Sequence, residues 1–239
     1  MDLVVPLSNH SKDQDRELIF ALRSACKYIE HDHLIIIGSE PQASLSKYKF
    51  IAHPDRIGAE NKALNIHNKI LSACYEGGIS DNFILMSDDH YLTREFCGEN
   101  QFDGMIAGKL ANFLSPDIRY QIFNNTLAEL NMRGTSTRLY DLHAPFIINK
   151  HQYIEISKSV DWSRRYGYAL KSLYQNIVGE SGEPYRDLKV KIRASHPSQY
   201  EKLIGGRKWF SIGEESTCPA MFQFLEYLYP EKCKYELLP

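Results

Sequence analysis

Apolar positions along the first third of the chain alternate between short unbroken runs and stretches with helical spacing. Leu3-Val4-Val5-Pro6-Leu7 reads as a short buried strand. Ser11 and Gln14 have the spacing of a capping box, and Leu18, Leu22, Ala25, Cys26 and Ile29 then recur on one helical face. His33–Ile37 is a second strand, closed by Gly38-Ser39-Glu40-Pro41, and Phe50-Ile51-Ala52 is a third. A second helix places Ala63, Ile66, Ile70, Leu71 and Cys74 on one face and stops at Gly77-Gly78. The run Asn82–Ser87 supplies a fourth strand. Strand, helix, strand, helix, strand is the pattern of a parallel sheet covered on both faces.

The pattern loosens after residue 95. Ser115-Pro116 reads as N-cap and first-turn proline of a helix ended by Gly134. Asn149–Ser157 and Arg164–Gln175 read as short helices, Lys208–Ile212 as a strand, and Pro219–Tyr229 as a helix stopped by Pro230. No repeat or linker marks a boundary. The expectation is therefore a single α/β domain over residues 1–239, with a regular nucleotide-binding half (1–95) and a loop-rich acceptor and catalytic half (96–239).

Composition narrows the function classes. Lys and Arg number 28 against 30 Asp and Glu, a net charge of −2, which gives no broad attraction to nucleic acid or to an anionic membrane. No apolar run approaches the roughly 20 residues that cross a bilayer. The N-terminal stretch lacks a signal-peptide pattern, and the five cysteines are scattered with no CxxC pair, so the expected location is cytoplasmic.

The chemistry concentrates where the fourth strand ends. Phe83-Ile84-Leu85-Met86 runs into Ser87-Asp88-Asp89-His90. In an open parallel sheet, ligands sit beyond the carboxyl ends of the strands, where both aspartates fall. Adjacent carboxylates repel unless a cation or a proton lies between them. A hard divalent ion, Mg²⁺ or Mn²⁺, would relieve the repulsion and bridge to phosphate oxygens. The plainer reading of Ser-Asp-Asp is a capped turn.

Three later blocks extend the pattern: Asp141-Leu142-His143-Ala144-Pro145-Phe146; Trp162-Ser163-Arg164-Arg165-Tyr166; and Phe210–Glu215 followed by Phe224-Leu225, Leu228-Tyr229-Pro230 and Tyr235-Glu236. In this order, together with the aspartate corner, they resemble the Stealth family of sugar-1-phosphate transferases. The corner is Ser-Asp-Asp here where that family has Asn-Asp-Asp. The family's Trp-Val-Asp-Gly turn has no counterpart, and its closing Asn-Asp appears as Gly213-Glu214. The chain also resembles the wider set of GT-A-type nucleotide-sugar transferases, which share a Rossmann-like, mainly parallel sheet with flanking helices and the acidic corner.

The resemblance implies a glycosyltransferase that uses a nucleotide-diphosphate sugar and a divalent metal, with sugar-1-phosphate transfer as the near alternative. It implies metal ligation by Asp89 and Asp88 with Glu214 nearby, and a phosphate clamp from Arg164 and Arg165. Arg56 and Lys62 flank the start of the second helix, where an anion would meet the helix N-terminus. His143 is the candidate base for the acceptor hydroxyl, since histidine titrates near neutral pH. Asp88, His143 and Arg165 form the expected catalytic set, and the acceptor is a glycan or another hydroxyl compound. A modified DNA base is a less favoured acceptor. A metal-dependent phosphoesterase and a non-catalytic sugar-binding protein are the remaining readings.

Overall fold

A computed structural model of the protein describes residues 1–8, 13–76, 78–98, 101–103, 109–179, 182–186 and 188–237. Its centre is a five-stranded sheet in the order β3-β2-β1-β4-β7, built from β1 (Asp2–Leu7), β2 (Leu34–Gly38), β3 (Tyr48–Ala52), β4 (Asn82–Leu85) and β7 (Phe146–Asn149). The first four are parallel to their neighbours, and β7 joins the edge antiparallel to β4. This is the mixed, mainly parallel α/β sheet with flanking helices that the alternating pattern predicts. The central strands are apolar runs because both sheet faces are covered there: Leu34–Gly38 is buried at every position.

Helices close both faces. On one side α1 (Arg16–Tyr28) packs with α6 (Pro197–Ile204) and α7 (Pro219–Leu228) around Leu3, Val5, Leu7, Phe20, Phe222 and Phe224. On the other, α2 (Lys62–Tyr75), α3 (Ile118–Arg133), α4 (Lys150–Ser159) and α5 (Leu170–Val178) enclose Val4, Ile35, Ile37, Phe83 and Leu85. Alternate residues of β1 thus serve opposite cores, as the two-residue period of a strand requires.

Two smaller sheets sit beyond the main one. β5 (His90–Leu92), β10 (Trp209–Ile212) and β9 (Lys189–Val190) form a three-stranded sheet with β10 in the middle. β6 (Gln101–Asp103) pairs in parallel with β8 (Glu183–Tyr185). In the described residues no helix is long and apolar enough to cross a membrane.

Several expectations are corrected in detail. Asp117, not Ser115, caps α3, its carboxylate accepting from the Arg119 N–H at 2.8 Å. The helix expected over 164–175 begins only at Leu170, because Tyr166 (φ 68°) and Gly167 (φ 69°) are both left-handed and make a turn. Helix α1 starts at Arg16, and Gln14 is left-handed (φ 53°), so it is not the third residue of a capping box; Ser11 and Gly77 lie outside the described residues. Helix α2 is rotated from the expected face: Leu64, His67 and Lys69 are buried with Ile70 and Cys74.

Candidate active site

The strand order reverses at β1: β2 and β3 lie on one side of it, β4 on the other. A crevice therefore opens at the carboxyl ends of β1 and β4, the place where open α/β sheets bind ligands. Two devices shape the β1 side. Gly38, the last residue of β2, has φ 131°, and a Cβ there would lie 2.0 Å from the Leu7 carbonyl oxygen, so glycine lets the two strand ends approach. Lys69 reaches up from α2, donates to that same Leu7 oxygen at 2.9 Å and meets the Asp55 carboxylate at 2.6 Å. Its side chain is only 3% exposed, so the loop after β3 is tied by a buried charge to the end of β1.

At the end of β4 the chain turns through Ser87-Asp88-Asp89 and enters β5. The His90 N–H donates to the Ser87 carbonyl at 3.2 Å and the Ser87 N–H to His90 Nδ1 at 3.3 Å, which closes the turn. Asp88 is partly reachable by solvent but has protein packed around it. Burial, then the charges of Asp89 and Glu17, push its carboxyl up to about 7, with Lys62 pulling the other way. Asp89 is better served: Lys189 on β9 lies 3.3 Å from Oδ2, and His90 Nε2 lies 3.7 Å from Oδ1.

The second half of the chain supplies the other wall. The Asp89 carbonyl accepts from the Ile212 N–H at 3.2 Å, which fixes the end of β10 beside the corner and places Glu214 two residues further on, exposed. His143 is half-buried, and its ring stands edge-on to that of His90 with centroids 6.4 Å apart. Its loop is braced by Lys171, whose Nζ donates to the carbonyls on either side, Leu142 at 2.6 Å and Ala144 at 2.7 Å.

The basic candidates converge on the start of α2. The turn carrying Arg164 and Arg165 docks there: the Tyr166 N–H donates to Asn61 Oδ1 at 3.3 Å, and Gly167 lies against Leu64. Both arginines are exposed, with Arg165 4.6 Å over the Tyr166 ring. Lys62 is exposed next to Asn61 and is close enough to act on Asp88. Arg56 is exposed in the preceding loop, which Asn65 pins by bonding both the N–H and the carbonyl of Ile57.

Among the described residues no three His, Cys, Asp or Glu side chains converge into a cluster able to hold a metal. The expected Asp88, Asp89 and Glu214 set is therefore not gathered as a cage. Three contributors are absent from the sequence reading. Lys189 had a usable signal, the alternation Leu188-Lys189-Val190-Lys191 of a short strand. Glu17 and Lys171 had none, because their importance comes only from what α1 and α5 pack against.

No family model matches the chain, and no curated protein matches it. Solved structures with a similar chain path include mouse xyloside xylosyltransferase 1 in its apo form, at 8% identity and a TM-score of 0.43, covering 91% of this chain and 100% of that one. The galactosyltransferase LgtC in complex with donor and acceptor sugar analogues matches at 12% identity and a TM-score of 0.45, covering 100% and 98%. The inositol-1-phosphate CTP transferase from T. maritima matches at 11% identity and a TM-score of 0.48, covering 95% of each chain. Identities this low carry no residue from one protein to another.

Proposed function

We propose that the protein is a GT-A-type glycosyltransferase that moves a sugar from a nucleotide-diphosphate donor to an acceptor hydroxyl, with Mn²⁺ or Mg²⁺ at the Asp88–Asp89 corner. One observation carries this reading. Two adjacent carboxylates stand at the carboxyl end of β4, beside the point where strand order reverses, with cationic side chains around them.

The donor set fits a metal held partly by substrate. Mg²⁺ is commonly bound by one or two carboxylates plus substrate phosphates rather than by an all-protein cage. Asp89 and Asp88 would hold it, with the exposed Glu214 the third candidate. When bound, the ion supplies charge neutralisation at the diphosphate. The chain's own groups have separable tasks. Lys62, Arg56, Arg164 and Arg165 sit around the start of α2 and bind donor phosphates as charge-assisted donors. Lys189 keeps Asp89 oriented. His143, in a loop that Lys171 braces, takes the proton of the acceptor hydroxyl at a ring nitrogen.

The test is a thermal-shift series with UDP and GDP, each with and without Mn²⁺. A nucleotide that stabilises only with metal, and not in Asp89→Asn, is the expected result. No metal-dependent shift with any nucleotide at millimolar concentration counts against the reading. Turnover separates the two chemistries by product: glycosyl transfer releases a nucleoside diphosphate, sugar-1-phosphate transfer a nucleoside monophosphate.

A further inference from the structure

We propose that a cleft between the N-terminal ends of α1 and α7 binds the phosphate group of a second ligand, and that Arg16 and Arg193 are its cationic contacts. On the transferase reading above, that ligand is a phosphorylated acceptor. The cleft has a volume of about 540 Å³ and is lined by Arg16, Arg193, Thr217, Phe222, Gln223 and Glu226, among others.

Its charge is unbalanced. The Arg16 guanidinium carbon lies 4.0 Å from the centroid of the Phe222 ring. Arg193 donates to the Thr217 carbonyl at 3.2 Å. Among the described residues neither arginine has a carboxylate partner. Glu226 is the acid of the lining, and it is drawn to Arg23, with contacts of 3.3 and 3.4 Å. Two exposed arginines thus border a cleft large enough for a small molecule, and Arg193 also acts on the Cys218 thiol. A phosphate monoester carries a charge of about −1.5 to −2 near pH 7 and presents three acceptor oxygens. Two planar forks match that group better than they match a single carboxylate. Gln223 adds a polar group to the lining.

The position links the cleft to the corner. Thr217 Oγ1 donates to Glu17 Oε1 at 2.8 Å, and the Glu17 carbonyl accepts from the hydroxyl of Tyr91, two residues beyond Asp89, at 3.5 Å. Helix α1 follows β1 and α7 follows β10, so both helices start at the edge of the molecule where Asp88 and Asp89 lie. A ligand anchored by its phosphate at Arg16 and Arg193 would extend past Glu17 toward the aspartates and His143.

The experiment uses the full chain in EDTA, so that no metal–diphosphate binding contributes. Inorganic phosphate and acetate are titrated separately by calorimetry. Saturable phosphate binding is expected, and acetate binding at least about tenfold weaker. Arg16→Gln/Arg193→Gln should weaken phosphate binding by about tenfold or more, and each single substitution by less. Circular dichroism confirms that the variants fold. A folded double variant that binds phosphate as tightly as the parent chain overturns the proposal, as does a parent chain that shows no saturable binding. Phosphate binding that depends on both arginines upholds the cleft whether or not nucleotides respond to Mn²⁺, so failure of the transferase reading would be seen separately.

Discussion

Replacing Asp88 by asparagine should make the metal-free protein more stable and at the same time remove its response to metal and nucleotide. The carboxyl sits at about 7 instead of 3.8, because burial and the neighbouring charges of Asp89 and Glu17 oppose its ionisation. A folded-state pKa above the unfolded one means that ionised Asp88 opposes folding. That opposition is absent below about pH 3.8 and complete above about pH 7. A rise of about 3 pH units at about 1.36 kcal/mol each gives about 4 kcal/mol as the upper bound. Part of Asp88 is open to water, and half of that bound would raise Tm by roughly 4–8 °C in a chain of this size. Asparagine keeps the shape and the acceptor oxygen and removes the charge. Thermal and urea unfolding in EDTA at pH 8, 7, 6 and 5 should show Asp88→Asn ahead at pH 8, with the gap closing as pH falls. Addition of Mn²⁺ and a nucleoside diphosphate should then stabilise the parent chain and not the variant. A variant no more stable than the parent at pH 8, or a gap unchanged at pH 5, would refute the account of the corner.

Two further substitutions test the shaping of the crevice. Gly38→Ala places a Cβ 2.0 Å from the Leu7 oxygen at a φ of 131°, so a strand end must shift. Urea denaturation should show a loss of at least about 3 kcal/mol, and a loss under about 1 kcal/mol would contradict the close approach. Lys69→Met removes the contacts to Asp55 and the Leu7 carbonyl and strands a mostly buried carboxylate. It should cost about 3–5 kcal/mol. Adding Asp55→Asn in that background should recover part of the loss, and a double-mutant cycle with no coupling would show that the two charges do not interact.

Most of the first half of the fold is legible because β1, β2 and β4 are apolar runs buried on both faces, while the edge strand β3 is largely exposed. Leu34–Gly38 and Asn82–Leu85 announce themselves as apolar runs, and the turn residues between them leave one reading. The second half is harder because long-range pairing decides it. His90–Leu92 is a strand only because β10 returns to pair with it some 120 residues later, Ser211 opposite His90. Phe146–Asn149 follows His143-Ala144-Pro145, where no element is assigned from the sequence, and becomes the edge strand by pairing with β4. Local propensity contains neither fact. The aspartate corner was readable as a pair of charges at a strand end. Its surroundings were not, since Glu17 and Lys189 come near Asp88 and Asp89 from remote parts of the chain. Arg164 and Arg165 were legible as a basic pair. That they sit on a left-handed turn against Asn61 and Leu64 is set by tertiary packing.

The core shared by α1 and α7 bears on synthesis. Leu18, Leu22 and Ala25 of α1 share one core with Met221, Phe224 and Leu225 of α7, and Arg23 grips Glu236 through two bonds of 2.8 and 2.9 Å. A nascent chain can cover that apolar stripe with β1 and β5, but its cover stays incomplete until α7 is made. Polypeptides stalled before residue 219 would therefore present part of that stripe to chaperones and proteases.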